Sequence, residues 1–268
     1  MDLEKLFLLQ SFALAWHWVN SACALVDEKK SYKLLGEKEY KRIETNMHNL
    51  ARYFYPQLDS KYAARQLMNN FICPIPVANK IFTENALKAA MRIGTRQIIA
   101  INQGYSLPDC GENKVKMFNI NKVSCQSATD MLSLCDFDRT KTVFVILDSM
   151  PLFTQKEDFA RLLHNLGEII PSGSSMVFSY GDKNFYSENA GQGPLFVKEI
   201  TQTSCNSGYS YEEIEQLLSQ RGFLIYEYMA SEDMQQQYFT NHNSINSANL
   251  IAMESVCYIL AVKKEHKK

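Results

Sequence analysis

The sequence lacks an excess of charge of either sign. Its 268 residues include 28 lysines and arginines against 29 aspartates and glutamates, so the formal net charge is −1. A protein that holds a nucleic-acid backbone or an anionic membrane through a broad positive field needs clustered basic residues, whereas the charges here are evenly mixed. We therefore expect no nucleic-acid partner.

The sequence also lacks paired cysteines. Its seven cysteines are dispersed, odd in number and never separated by two residues, which is the spacing typical of zinc sites and redox-active dithiols. The pattern is instead typical of reduced, mostly buried thiols. It predicts a cytoplasmic protein without a metal site.

A continuous apolar run long enough to span a membrane is missing as well. Residues 6–26 are the strongest candidate, but a spanning helix needs about 20 consecutive apolar residues. Three polar residues interrupt the run: Gln10, His17 and Asn20. The charge ahead of it is net acidic, unlike that of a signal peptide, although Ser21-Ala22-Cys23-Ala24 fits a cleavage site. We favour a helix packed on the domain or on a second subunit, with secretion as the alternative.

Helical periodicity dominates the first third of the chain. Residues 1–76 are therefore predicted to form a helical segment that packs as a lid on the core, residues 77–268. Proline disfavours helical geometry in the residue before it, so Pro74 is predicted to end one helix. Thr83 is predicted to cap the next helix, over residues 85–93.

Apolar, β-branched runs alternate with amphipathic stretches from residue 97 onward. The predicted strands are 97–102, 115–120, 142–147, 175–180, 223–228 and 256–262. The predicted helices are 155–169 and 211–221, the second with a capping box formed by Ser210 and Glu213. This alternation indicates one α/β domain with a mostly parallel sheet, helices on both faces and a final antiparallel pair of strands. The asparagine-rich residues 241–249 predict a loop between the last two strands.

Several short landmarks occur in a fixed order between residues 75 and 262. They are Phe82-x-Glu84, Gly94-Thr95-Arg96-Gln97-Ile98-Ile99, Gln103-Gly104-Tyr105, Cys135-Asp136-Phe137-Asp138-Arg139-Thr140, Asp148-Ser149-Met150-Pro151-Leu152-Phe153, Gly208-Tyr209-Ser210-Tyr211-Glu212-Glu213-Ile214 and Arg221-Gly222-Phe223. Their order and spacing resemble the leucine carboxyl methyltransferase family and its small-molecule O-methyltransferase relatives. The resemblance implies a seven-stranded, Rossmann-like class I methyltransferase sheet that binds S-adenosylmethionine where its strands end. It also implies methyl transfer to a small carboxylic acid or a similar oxygen, which for a carboxylate needs no general base.

The cofactor-binding turn departs from the pattern of that family. The family has two glycines followed by an acid, whereas the stretch here is Asn102-Gln103-Gly104-Tyr105-Ser106, with one glycine and with Ser106 in place of the acid. An arginine that pairs the cofactor's carboxylate in the family falls at Asn79 here, which leaves Lys80 as its substitute. Lysine supplies the same charge but is a weaker bidentate partner than arginine.

The acids that bind ribose and adenine in the family are also missing. Residues 105–136 leave room for a single strand, so we infer that about one strand-helix unit is shortened or lost. Asn119 or Asn121 would then bond the cofactor's hydroxyl or amino groups, more weakly than a carboxylate does. Asp148 stands where the family has a glutamate beside cofactor and acceptor, or it is a polar cap after a buried strand. Tyr180 ends a strand at the edge where acceptors bind and is the other predicted catalytic residue.

Three functions remain open at this point. The leading hypothesis is an S-adenosylmethionine-dependent O-methyltransferase acting on a small-molecule acid. The eroded cofactor turn favours a second, a cofactor-independent enzyme of the cyclase or dehydratase type on the same fold. The third is a catalytically silent binding protein. Residues 229–239 would either close over a substrate or join a homodimer interface.

Overall fold

The structure is a computed structural model that describes residues 3–26, 29–101, 115–120, 138–201, 208–246 and 249–264. The chain begins with five helices: α1 (Leu3–Asn20), α2 (Lys29–Leu35), α3 (Glu37–Phe54), α4 (Ser60–Leu67) and α5 (Pro74–Arg92). A π-helical turn, Met68–Ile72, joins α4 to α5. This agrees with the helical periodicity of the first third. None of the described helices is both long and apolar enough to cross a membrane.

One of two local predictions about α5 was wrong. The helical stretch before Pro74 ends at Ile72, as predicted, and Pro74 also begins α5, with Pro76 in the same first turn. Proline is tolerated there because the first N–H groups of a helix have no partner within it. Thr83 is buried inside α5, which continues without interruption to Arg92. The predicted boundary between residues 76 and 77 therefore falls within a continuous helix.

The sheet of the described residues has six strands. They are β1 (Gln97–Ile101), β2 (Lys116–Ile120), β3 (Val143–Asp148), β4 (Ser175–Gly181), β5 (Phe223–Met229) and β6 (Val256–Lys263). Their order is β2-β1-β3-β4-β6-β5, in which the first four run parallel and β6 is antiparallel to both neighbours. The predicted mostly parallel sheet and final antiparallel pair are confirmed. Residues 102–114 and 121–137 lie outside the described part, so the inferred loss of one strand-helix unit between residues 105 and 136 stays a prediction.

Shorter helices fill the second half of the chain. They are α6 (Met150–Phe153), α7 (Lys156–Ile169), α8 (Gln192–Thr201), α9 (Tyr211–Gln220), α10 (Ser231–Met234) and α11 (Thr240–Asn246), with a π-helical turn at Gln235–Phe239 and a 3-10 turn at Asn184–Tyr186. The capping box of α9 is present as predicted: Ser210 Oγ accepts from the backbone N–H of Glu213, and the Glu213 carboxylate accepts in return. The loop predicted at residues 241–249 is wrong, since α11 occupies most of it.

Helices cover both faces of the sheet. Side chains alternate between the faces along each strand, so that Ile146, Val177 and Tyr258 pack in one cluster with α1, α3, α4 and α5. Leu147 and Phe178 pack in the other, with α7 and α9. The first face, which we call the α5 face, therefore joins the N-terminal helices and the sheet in one continuous core.

Candidate functional site

The carboxyl end of β3 carries an unusual aspartate. Asp148 is the last residue of β3, is 2% exposed and has a φ of 45°. The pairing of β3 with β4 shifts register between Ile146 and Asp148, so the strand is irregular where the aspartate turns away. A positive φ is uncommon outside glycine, and such strain is concentrated at functional sites. The geometry therefore marks this strand end as the candidate site.

Side chains from α1 and α5 contact Ser149, the residue that follows Asp148. Ser149 Oγ accepts a hydrogen bond from Asn79 Nδ2 of α5 at 2.6 Å. It also accepts one from Gln10 Nε2 of α1 at 3.5 Å. All three side chains are buried. This network ties α1 and α5 to the end of β3.

A buried lysine follows Asn79 on α5. Lys80 is 1% exposed, and its Nζ lies 3.5 Å from Glu84 Oε1. The other carboxylate oxygen of Glu84 lies 3.7 Å from Lys88 on the surface of the same helix. Lysine is rarely buried without anionic partners because loss of hydration penalises its charge. Lys80 thus places a buried positive charge on α5, one position after Asn79.

Two hydroxyl groups complete the cluster from the sheet itself. Ser179 of β4 and Tyr258 of β6 are direct cross-strand partners on the α5 face, and both are buried. Burial raises the pKa of Tyr258. The charges of Cys257 and Asp148 raise it further, so Asp148 lies close enough to interact electrostatically with this hydroxyl. Within the described residues neither hydroxyl makes a hydrogen bond. Buried polar groups of this kind are uncommon in native proteins and call for a ligand or a water molecule.

We call these seven residues the strand-end cluster: Gln10, Asn79, Lys80, Asp148, Ser149, Ser179 and Tyr258. A small apolar cleft of about 30 Å³, which we call the α1 cleft, adjoins it. The cleft is lined by Leu6, Leu9, Gln10, Phe71, Ile72, Ile75, Pro76, Phe153 and Val197. Gln10 belongs to both, so it connects the cleft to the end of β3.

Comparison with known proteins agrees with this architecture. No family model matches the chain. The Bacillus subtilis (strain 168) protein named "Putative S-adenosyl-L-methionine-dependent methyltransferase YktD" is 26% identical over 302 residues, which cover 96% of this chain and 97% of that protein. The enzyme class and cofactor in that name are those predicted from the sequence. The name does not mention the leucine carboxyl methyltransferase subfamily, O-methylation or an acceptor.

Two solved structures bear on the fold. A "putative methyltransferase" from Thermobifida fusca YX matches with a TM-score of 0.50 at 12% identity, covering 85% of this chain and 89% of that one. A DUF574 family protein from Streptomyces avermitilis MA-4680 matches with a TM-score of 0.51 at 14% identity, covering 81% and 96%. The chain has the class I methyltransferase fold. In such open α/β sheets ligands bind at the carboxyl ends of the strands, where the strand order reverses. Here the order reverses between β1 and β3, so Asp148 lies at the edge where this fold binds its ligand.

Some of the predicted site residues lie in the strand-end cluster, and others lie elsewhere or outside the described residues. Lys80 and Asp148 belong to the strand-end cluster. Asn119 is exposed on β2, at one edge of the described sheet. The remaining predicted cofactor-binding residues, Asn102, Gln103, Gly104, Ser106 and Asn121, lie outside the described residues. Asn102 and Asn121 directly follow β1 and β2, and therefore directly follow the carboxyl ends of two neighbouring strands.

Tyr180 lies apart from the strand-end cluster. Its side chain is buried on the face opposite the α5 face, with its ring 6.1 Å from the ring of Tyr209. Burial raises the pKa of Tyr180, and neighbouring Cys257 and Tyr228 add to the rise. The structure does not bring Tyr180 together with Asp148, and a catalytic role for it stays a prediction.

Five members of the cluster were not among the predicted site residues. Asn79 was noted only as the position where the family has an arginine. For Gln10 a signal was present, because it interrupts an apolar run where an apolar residue would pack better. Ser149 directly follows Asp148 and could have been included by adjacency. Ser179 and Tyr258 carry no local signal, since a serine or a tyrosine within a strand is ordinary and only the pairing of β4 with β6 brings them together.

Proposed function

We propose that the protein is an S-adenosylmethionine-dependent methyltransferase that methylates an oxygen atom of a small molecule. The observation that carries the proposal is the buried strand-end cluster at the carboxyl end of β3, the edge at which this fold binds ligands. The name of the Bacillus subtilis relative supports the enzyme class and the cofactor. Transfer to oxygen rests on the resemblance of the sequence landmarks.

The residues of the cluster fit the methyl donor. The amino-acid part of S-adenosylmethionine carries a carboxylate, which the buried charge of Lys80 would pair with in a charge-assisted hydrogen bond. We assign its nucleoside part to the segments that follow β1 and β2, with Asn102, Gln103, Gly104, Ser106, Asn119 and Asn121. Asp148 would lie between donor and acceptor.

The described residues would contribute alignment and exclusion of water. When bound, S-adenosylmethionine would supply a methyl carbon on a sulfonium, whose C–S bond would give its electron pair to sulfur as the methyl group passes to the acceptor oxygen. A carboxylate acceptor loses no proton, whereas a hydroxyl acceptor must release one, and the Asp148 carboxylate is the group we assign to take it. Burial under α1 and α5 excludes water from the reacting atoms.

The test is titration calorimetry with S-adenosylmethionine and S-adenosylhomocysteine. We expect micromolar binding to the unaltered protein. Lys80→Met should weaken binding about 10- to 100-fold, because a hydrogen bond to a charged group contributes roughly 1.5–3 kcal/mol. Lys88→Met is the matched control: Lys88 is on the same helix and contacts the same Glu84, but its side chain is 62% exposed.

Two results would oppose the proposal. Absence of heat at millimolar ligand would leave the cofactor-independent enzyme or the silent binding protein as the better hypothesis. Equal weakening by Lys80→Met and Lys88→Met would remove Lys80 from the site. The cytoplasmic location and the homodimer stay predictions that this titration does not address.

A further inference from the structure

β5 is an edge strand of the sheet. It comes last in the strand order and pairs with β6 alone among the described strands. An edge strand presents unpaired backbone N–H and C=O groups that another chain can bind, and monomeric proteins often protect such an edge with lysine, proline or a bulge. β5 contains no lysine and no proline. It has one bulge, at Tyr226, where its register with β6 shifts.

The exposed side chains of this edge are mostly apolar. Leu224 is 54% exposed and Tyr226 is 76% exposed. Tyr228 is exposed as well, and its ring lies 5.1 Å from the ring of Tyr211, which is exposed at the start of α9. An open groove of about 440 Å³ lies along the same edge, lined by residues of α9 and of the first half of β5. Exposed apolar side chains grouped in this way are typical of a protein–protein contact.

The two ends of β5 differ in charge. Lys264 lies at the beginning of the strand, since its backbone N–H donates to the carbonyl oxygen of Gly222 at 2.8 Å. Its side chain extends toward α9, where Nζ lies 3.4 Å from Ser219 Oγ. The other end is acidic: Glu227 belongs to the strand, Glu232 follows it in α10, and both are exposed. The strand is therefore positive where it begins and negative where it ends.

Two copies of this edge are complementary when they lie antiparallel. A two-fold axis sets the same surface of both copies against itself, so the start of one strand lies beside the end of the other. With the axis at Tyr226, Gly222 of one copy lies opposite Ala230 of the other, and Glu232 follows two residues later. Lys264 of each copy would then attract Glu232 of the other. A parallel arrangement would instead bring like charges together, which is destabilising.

We propose that the protein forms a homodimer in which two copies lie antiparallel along β5, with Lys264 of each copy near Glu232 of the other. The bulge interrupts regular backbone pairing at the centre of the strand. We therefore assign the central contact to the exposed rings of Tyr226 and Tyr228. None of these residues belongs to the strand-end cluster, so the inference goes beyond the proposed function and does not depend on it.

Sedimentation equilibrium measures the association of the unaltered chain and of charge variants. We expect dimers of the unaltered chain at about 100 μM, since interfaces of ordinary size have dissociation constants on the order of 1 μM or lower. Lys264→Glu makes both ends of the edge acidic, and Glu232→Lys makes both ends basic. Each variant alone should dissociate at least about tenfold more readily, because like charges then meet at both contacts. Lys61→Glu, on the exposed surface of α4, is the matched control and should leave the dimer unchanged.

An equal mixture of the two charge variants is the decisive sample. In a mixed dimer each acidic end faces a basic end at both contacts, so the mixture should associate about as tightly as the unaltered chain. This recovery also requires that both variants are folded. Tyr226→Glu tests the centre separately if either charge variant does not fold, because it places two like charges beside the two-fold axis and should also dissociate the dimer.

Three results would each overturn the inference. The first is an unaltered chain that remains monomeric at that concentration. The second is a set of variants that dimerise as tightly as the unaltered chain, which would place the interface on another surface. The third is a mixture of folded variants that associates no better than either variant alone, which would exclude the antiparallel arrangement.

Discussion

The protein should lose stability in mild acid because of one histidine at the end of α1. His17 is 1% exposed, and its Nε2 accepts a hydrogen bond from the backbone N–H of Leu25 at 3.2 Å. Its ring centroid lies 5.0 Å from that of His242 on α11. Protonation of His17 would place a charge in this buried contact between α1 and α11. It would also turn Nε2 from an acceptor into a donor that faces the N–H of Leu25.

Burial outweighs the attraction of the helix end for a cation. A histidine in the last turn of a helix gains up to about 2 kcal/mol when charged. Burial and, second, the charge of His242 nevertheless lower the pKa of His17 from 6.5 to about 3. A shift of that size corresponds to about 5 kcal/mol in favour of the neutral ring. Burial also lowers the pKa of His242, so both rings favour the neutral state.

The sign and size of the effect follow from linkage. Between pH 6.5 and about 3 the unfolded chain binds a proton at His17 that the folded chain does not. The contribution of the neutral ring is therefore complete above pH 6.5 and is lost as the pH falls. Between pH 7.5 and pH 5.0 the free energy of unfolding should drop by about 2 kcal/mol from His17 alone.

Urea denaturation of the unaltered protein and of His17→Gln at these two pH values measures this drop. The variant retains a hydrogen-bond acceptor but cannot be protonated, so its loss between the two pH values should be smaller by about 2 kcal/mol. Carboxylates titrate in both proteins and cancel in the comparison. His164→Gln, on the exposed surface of α7, should retain the full loss. The same loss in all three proteins would refute the reasoning.

Two further predictions concern stability and are measured by the same urea titration. Gly208→Ala should destabilise the fold by about 2–3 kcal/mol, because its new methyl group would overlap the backbone carbonyl of Asp182. Gly191→Ala, whose methyl group would meet only the flexible end of a side chain, should cost less, and equal costs would contradict the close approach. Ser210→Ala should cost about 1 kcal/mol by removing the cap of α9; a cost no larger than that of Ser219→Ala on the same helix would contradict the role of the cap.

The sequence predicted those features that depend on interactions between residues close together in the chain. The six strand runs, α7 and the capping box of α9 were all predicted, because hydrophobic periodicity and capping act within a few residues. The same local reasoning failed at Thr83. A threonine is compatible with a helix cap and with a helix interior, and only the packing of α5 against the sheet selects the second.

The candidate site was predictable only in part, for a related reason. Asp148 and Lys80 were predicted from family landmarks, as was the chemistry they would serve. Asp148 has a positive φ and lies at a register shift between β3 and β4, and the local sequence predicts neither feature.

By itself the sequence determined the class of fold, the order of its elements and the absence of a strong charge field, since these follow from periodicity and composition. Only the tertiary structure decided which polar groups share a site. Gln10 meets Ser149 across 139 positions of the chain, and Tyr180 and Ser179, adjacent in sequence, face opposite layers of the core. Contacts over such separations depend on how helices pack on the two faces of a sheet, and the sequence pattern of a single element does not encode that packing.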